Sequence, residues 1–333
     1  MKIRQIAFAL TTVFAAGQNV TTSDFTILQN IFINPQTSIM ATLLSLPSLR
    51  SVTNTLHDPF NPVTFFAPDD EAFRNAGIMN STMVAQDPEL SQFLLTLFDY
   101  HTLSDVVDIA PVVPVCNITE ESDGVIVGNS TNSTSINNSH ISIHNTTYNN
   151  TEGFVQVIII DANSTDTSNS TNVTSNASLP TIYSGLGRNS SVIQSNITAL
   201  NGVLHIIDRV FTLPGNLTET LKATNQTGFL NSIGNSTDSP LLSNSTTFTG
   251  FVPLNTNLTE EQLPNYISNN TIAYSTNLTS LSMDSNFTSL NGTMYNITGS
   301  LDCMNITVNG ALVNRTDVIF SNGVLHFLNG LFA

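Results

Sequence analysis

Apolar residues alternate through two nearly identical stretches, "NGVLHIIDRVF" from Asn201 and "NGVLHFLNGLF" from Asn322, 121 residues apart. Each opens on Asn-Gly, a turn signal, and continues with the period of a strand. In the first, Val203, His205 and Ile207 share one face, and Leu204 and Ile206 the other. Each closing strand has an opening partner upstream. "VTFFAPDDEAF" (residues 63–73) runs as a strand into a proline and an acidic turn. "FTGFVPLNTNL" (residues 248–258) has the same shape, with Phe251 and Pro253 standing where Phe66 and Pro68 stand. Between opening and closing strands the period changes to 3.6. "DPELSQFLLTLFDYHTL" puts Leu90, Phe93, Leu94, Leu97 and Phe98 on one face, with Asp87 as cap, Pro88 in the first turn and His101 continuing the stripe. The later copy offers only a short helix, capped by Asn257 or Thr259 and cut by Pro264. The pattern predicts a duplicated unit, α+β or mostly β.

The copies differ in length. Tyr100 lies 101 residues before Asn201, whereas Tyr266 lies 56 before Asn322. The excess in the first copy coincides with "NSTNSTSINNSHISIHNTTYNNT" and "NSTDTSNSTNVTSNAS", too polar to order themselves by burial. Most of this insertion, about residues 118–180, reads as loop. The apolar "GFVQVIIIDA" (residues 153–162) interrupts it as a buried strand.

Those tracts change the reading of composition. Charged residues make up 10% of the 333, against roughly 25% in an average soluble protein. Asn-x-Ser/Thr sequons supply the missing hydrophilicity: 26 run from Asn19 to Asn314. They include Asn80, Asn117, Asn129, Asn145, Asn163, Asn172, Asn196, Asn216, Asn244, Asn257, Asn286 and Asn314. Glycosylation needs the secretory route, and "MKIRQIAFALTTVFAAGQNV" has the form of a signal peptide. It has Lys2 and Arg4, a short apolar run and small residues before a cleavage after Gly17. Loss of residues 1–17 takes the net charge from −16 to −18, which argues against nucleic acid as a partner. No later run has transmembrane length, and the C-terminal residues lack the pattern of a lipid-anchor signal.

The opening strand with its Phe-Ala-Pro-Asp turn, Tyr100–His101 and the doubled Asn-Gly-Val-Leu-His strand together resemble the signatures of tandem fasciclin-domain proteins, fungal members above all. The resemblance implies two β-wedge domains with helices packed on one side, residues 18–215 and 216–333. It also implies a non-catalytic role in cell adhesion or in organising the cell wall or matrix, through cell-surface or matrix proteins and glycans, with no cofactor. The location implied is extracellular or in the wall, with a vacuolar lumen as the alternative. The second copy is the degenerate one: Tyr266 is followed by Ile267, so its Tyr-His pair is lost. The alternative function is a lumenal or extracellular module that binds a small apolar ligand or lipid.

Candidate chemistry is sparse. Tyr100–His101 is the pair to which the resemblance attaches adhesion. Packing at the helix end explains it equally, as it does for His205 and His326. Asp69, Asp70 and Glu71 suit either helix capping or calcium. His140 and His144 share a face in a helix or a strand but lack a third ligand, so no metal is assigned. The two cysteines, Cys116 and Cys303, are either an interdomain disulfide or two buried thiols. No hydrolase elbow, zinc-protease or Cys-x-x-Cys motif occurs, so no enzyme is expected.

Overall fold

The computed structural model describes residues 24–78, 81–109, 141–150, 153–161, 180–234, 247–268, 270–281, 287–299 and 305–333. Residues 1–17, Cys116, Cys303, His140 and the sequons at Asn80, Asn117, Asn129, Asn163, Asn172, Asn244 and Asn286 lie outside these.

The first unit begins with three short helices, α1 (Ile27–Ile33), α2 (Ser38–Leu44) and α3 (Arg50–Thr55). Strand β1 (Val63–Pro68) follows, then α4 (Asp70–Asn75), α5 (Ser81–Gln86) and α6 (Pro88–Tyr100). Strands β2 (Thr102–Leu103), β3 (Ile141–Asn149), β4 (Val155–Asp161), β5 (Thr181–Tyr183), β6 (Asn189–Ala199) and β7 (Gly202–Ile207) complete it. β1 pairs in parallel with β7, and the remaining pairings in order β1 to β7 are antiparallel and close the sheet on itself.

Alternation along β1 divides the core. Phe65 and Ala67 join Leu204 and Ile206 against the helices. Phe66 turns the other way and meets Ile207, Val192, Tyr100 and Phe211 inside the closed sheet. The helices therefore pack on one side. α6 starts as its sequence predicts, with Asp87 Oδ1 accepting from Glu89 and Leu90 N–H. Its stripe is narrower than the periodicity implies: Leu94, Leu97 and Phe98 are buried, but Phe93 is 47% exposed. Buried Ser91 takes up the core edge instead, its hydroxyl donating to the Val84 carbonyl at 2.9 Å.

The second unit repeats the plan with fewer parts: α7 (Leu217–Ala223), α8 (Thr227–Gly234), β8 (Phe248–Pro253), α9 (Ser275–Leu281), β9 (Ile297–Thr298), β10 (Thr307–Val308), β11 (Ala311–Phe320) and β12 (Gly323–Leu328). Its sheet stays open, in order β8-β12-β11-β10-β9. Where the first unit has α6, it has a single 3₁₀ turn, Leu263–Tyr266. Neither Asn257 nor Thr259 caps that turn: its first flanking residue is Gln262, which exchanges bonds with Thr259 just ahead of it.

The twin strands sit in matching surroundings. β7 lies parallel to β1 in register Val63 with Gly202, and β12 parallel to β8 in register Phe248 with Gly323. The glycine of each Asn-Gly lies against the neighbouring strand: a Cβ on Gly202 would meet the Val63 carbonyl oxygen at 1.8 Å, and one on Gly323 the Phe248 oxygen at 2.1 Å. Gly202 also has φ +127°, open only to glycine. Asn201 is buried and sutures three elements, accepting from Ile27 N–H at 2.8 Å and donating to the Leu56 carbonyl at 3.1 Å.

The insertion contributes more than loop. Besides the expected β4, the sequon-bearing "ISIHNTTYN" forms β3, which links β2 to β4 and helps close the sheet. The β3–β4 hairpin also meets the second unit. Ile319 of β11 packs against Ile141, Val157 and Ile159. Asn150 and Gln156 donate to the Ser321 carbonyl at 2.7 and 3.2 Å.

Candidate functional site

The pair singled out by the sequence sits where α6 runs into β2. Both side chains are fully buried. His101 caps the helix, its Nδ1 lying 2.7 Å from the Leu97 carbonyl oxygen. That bond places the proton on Nδ1 and leaves Nε2 to accept from Phe211 N–H at 3.0 Å. The ring stacks on Phe211 at 4.4 Å between centroids. Burial pushes its pKa down to about 4, so it is neutral. Tyr100 donates to the Val157 carbonyl of β4 at 2.8 Å, and burial raises its phenol pKa. The pair thus ties helix end, insertion hairpin and the exit of β7 into one corner. Neither side chain reaches solvent.

The second copy corrects the sequence alignment by one residue. Gly250 bridges Ile267, as Phe65 pairs with Thr102, so Tyr266 occupies the place of His101 rather than Tyr100. It also takes over the histidine's bond. Its hydroxyl oxygen accepts from Phe332 N–H at 2.7 Å, and its ring stacks on Phe332 at 4.0 Å. The His101 corner is rebuilt with a phenol.

A second corner recurs more closely. His205 Nε2 meets the Val107 carbonyl at 2.9 Å, and its Nδ1 accepts from Asn196 N–H at 3.2 Å. His326 does the same with Ala273 (2.8 Å) and Asp317 (3.4 Å). Burial lowers both pKa values, that of His205 to about 4. Asn196 and Asp317 both have positive φ, 57° and 58°. Each then reaches two residues beyond the histidine's partner: Asn196 to Ile109 N–H and carbonyl, both at 2.9 Å, and Asp317 to the N–H and hydroxyl of Ser275. Thr64 and Thr249 brace the same segments, bonding Asp105 and Val107 in one copy, Thr271 and Ala273 in the other. These histidines are satisfied core residues.

The three carboxylates of the acidic turn diverge. Asp69 caps α4 through Ala72 N–H, Asp70 accepts from Ile39 N–H and the Ser38 hydroxyl, and Glu71 pairs with Arg74 at 3.1 Å. This is capping and cross-bracing. His144 is half-buried and bonds the Ser142 hydroxyl at 2.9 Å. Among the described residues no group of three His, Cys, Asp or Glu side chains converges on a metal site.

The sequons separate cleanly by exposure. Among the described residues, the sequon asparagines Asn145, Asn196, Asn257 and Asn314 are exposed, Asn216 and Asn277 are half-buried with the Asn277 Oδ1 turned inward, and none is fully buried. The buried asparagines Asn30, Asn201 and Asn322 begin no sequon. Asn216 caps α7 through Oδ1 alone, which leaves its Nδ2 for a sugar.

Comparison with known proteins agrees with this duplicated geometry. The fasciclin domain family model matches twice, over residues 35–214 and 215–332. The chain belongs to the fasciclin domain family. Two fungal relatives are a fasciclin-like arabinogalactan protein of Arthroderma benhamiae and the fasciclin-like arabinogalactan protein CTB11 of Cercospora beticola. The first is 31% identical over 169 residues, 44% of this chain and 37% of the relative. The second is 31% identical over 161 residues, 45% of this chain and 42% of the relative. The matched segment thus spans about two-fifths of each relative's length. A solved domain pair from the insect cell adhesion molecule fasciclin I is similar over 92% of this chain and 97% of its own, at 16% identity and a TM-score of 0.35. No helix of the described residues is long and apolar enough to cross a membrane.

Proposed function

We propose that this fasciclin-domain chain is a non-catalytic, N-glycosylated adhesion protein of the cell surface or wall. After loss of residues 1–17 it acts as two domains, residues 18–215 and 216–333, that contact cell-surface or matrix proteins and glycans. The observation that carries this reading is the division of labour among its polar residues. The side chains with chemistry to offer, Tyr100, His101, His205 and His326, are buried and hydrogen-bonded. Most sequon asparagines among the described residues face out. A scaffold of this kind works by presenting sugar and many weak contacts, which add through avidity. The fungal relatives named as arabinogalactan proteins support the wall location. The test is a cell-aggregation assay on a deletion strain, complemented with wild type or with His101→Ala. Aggregation lost on deletion and restored by both, in proportion to folded secreted protein, supports the reading. Unchanged aggregation in the deletion strain sinks it.

One observation favours binding of a small apolar ligand. A pocket of about 660 Å³ in the second domain has Tyr266, Tyr295 and Phe332 in its wall beside polar Gln262, Asn265, Thr293 and Asn309, and the buried Tyr295 hydroxyl has no hydrogen-bond partner among the described residues. Native mass spectrometry of the deglycosylated protein, before and after organic extraction, reads this directly. A single extractable mass increment is the expected signature.

A further inference from the structure

Sugar sites are distributed unevenly over the fold. Residues 24–109 contain one sequon, at Asn80, whereas 24 lie between Asn117 and Asn314. Residues 24–109 hold the whole helical layer of the first domain, α1 to α6, with β1 and β2. The second domain's helices are not spared: Asn216 precedes α7 and Asn225 precedes α8. Glycans on the outward sequons therefore crowd the sheet edges, the hairpin and the second domain, and leave the helical layer of the first domain with a single site, Asn80, ahead of α5.

That face has a distinct charge and an exposed anchor. Residues 24–109 carry ten Asp and Glu against Arg50 and Arg74, half of the chain's net charge of −16. Arg74 is already paired with Glu71. Between α3 and β1 the chain makes the turn Asp58-Pro-Phe-Asn-Pro62, in which Asp58 Oδ1 accepts from Phe60 N–H at 3.0 Å. Phe60 is 92% exposed, held out on a turn stiffened by two prolines. α3, which leads into that turn, packs against α6, which carries exposed Phe93 together with Glu89 and Asp99. An exposed phenylalanine on a preorganised turn beside the Asp58 carboxylate, in an acidic segment of the chain, has the make-up of a binding hot spot.

We propose that the helical layer of the first domain is the partner-binding face, with Phe60 as its anchor. Its partner is a protein that presents an apolar pocket within a basic surface. Charge complementarity selects that partner and excludes a second copy of this acidic chain. The inference rests on the adhesive reading and specifies which surface performs it. The probe is the labelled, secreted full chain added to intact cells of the deletion strain, before and after protease shaving. Phe60→Ser removes the anchor from a solvent-exposed site. Glu89→Asn creates an Asn-Leu-Ser sequon on α6, and Lys222→Asn creates an Asn-Ala-Thr sequon on α7 as the control. The expected result is a loss of at least about tenfold in cell binding for F60S, and for E89N carrying a glycan by mass. Melting temperatures should be unchanged, K222N should bind as wild type, and shaving or raised salt should weaken wild-type binding. Binding that survives both F60S and glycosylated E89N overturns the proposal while leaving adhesion intact. Binding that resists shaving overturns the protein partner. Wild-type protein that binds no cells removes the adhesive reading and this inference together.

Discussion

At the scale of single residues, the corner histidines contribute stability, and the sign of their pH dependence follows from burial. His101 and His205 have pKa values lowered to about 4, against about 6.5 in the unfolded chain. Between those values the unfolded state binds more protons, so stability falls as pH drops from about 6.5 towards 4. Each histidine withdraws on the order of 3 kcal/mol across that window. Urea midpoints measured from pH 7 to 4 should decline, and the decline should be shallower in His205→Gln than in wild type. His101→Ala orphans the Phe211 N–H and removes a buried ring, so a loss of about 2–4 kcal/mol is expected in chemical denaturation. Asn196 makes a different kind of prediction. One edge of its carboxamide pairs with both the N–H and the carbonyl of Ile109. An N-linked sugar replaces the amide hydrogen on the same side as the oxygen, the one that edge uses. Bond and glycan therefore exclude each other, and Asp317 fills the equivalent place in the second copy with a side chain that takes no sugar. Glycopeptide mass spectrometry should find Asn196 bare while Asn145 and Asn314 are occupied, and Asn196→Asp should melt below wild type, because it sets a carboxylate oxygen against the Ile109 carbonyl that now accepts from Nδ2. The Asn-Ile-Thr pattern alone is indistinguishable from its neighbours, because the partner at Ile109 is 87 residues away.

At the scale of elements, the closing strands show what local pattern can carry. Alternation in "NGVLHIIDRVF" and "NGVLHFLNGLF" is dictated by the two-residue period of a strand with apolar groups on both faces, so type and duplication are readable before any fold is known. The Asn-Gly that reads as a turn signal proves to be a packing requirement as well. Gly202→Ala should cost more than about 2 kcal/mol, since the new methyl meets the Val63 oxygen and φ +127° is strained. Gly323→Ala should show a comparable loss in the second domain; equal melting of either variant and wild type would contradict this. The α6 stripe was legible except for Phe93, because periodicity assigns an angle around the helix but not the width of the neighbour covering it. Strand β3 was obscured for the opposite reason. Its Asn and Thr face water and carry sequons, so composition resembles the flanking loop.

At the scale of the whole molecule, the insertion hairpin joins the domains through Ile319 in its isoleucine-rich socket and the Ser321 carbonyl, and the turn between β5 and β6 adds the Gly187 carbonyl, which accepts from Arg315 at 2.7 Å. Ile319→Asp places a charge in that socket. Calorimetry of the glycosylated protein should then resolve two unfolding transitions where wild type shows more nearly one. A single transition unchanged in position would show that the socket does not couple the domains.

What the sequence determined by itself is the duplication, the positions of the sequons and the family. All of these depend on local period, turn chemistry and motifs that each occupy a dozen residues or fewer. Tertiary structure alone decided that Tyr266 replaces His101, that Asn196 and Asp317 are twins, and that β3 helps to close the first sheet. It also showed that the sequon-poor segment supplies helices α1 to α6, which pack on one side of the first sheet. The physical reason is distance along the chain. Each of those facts is a relation between side chains or elements tens of residues apart, and only packing brings them within bonding range.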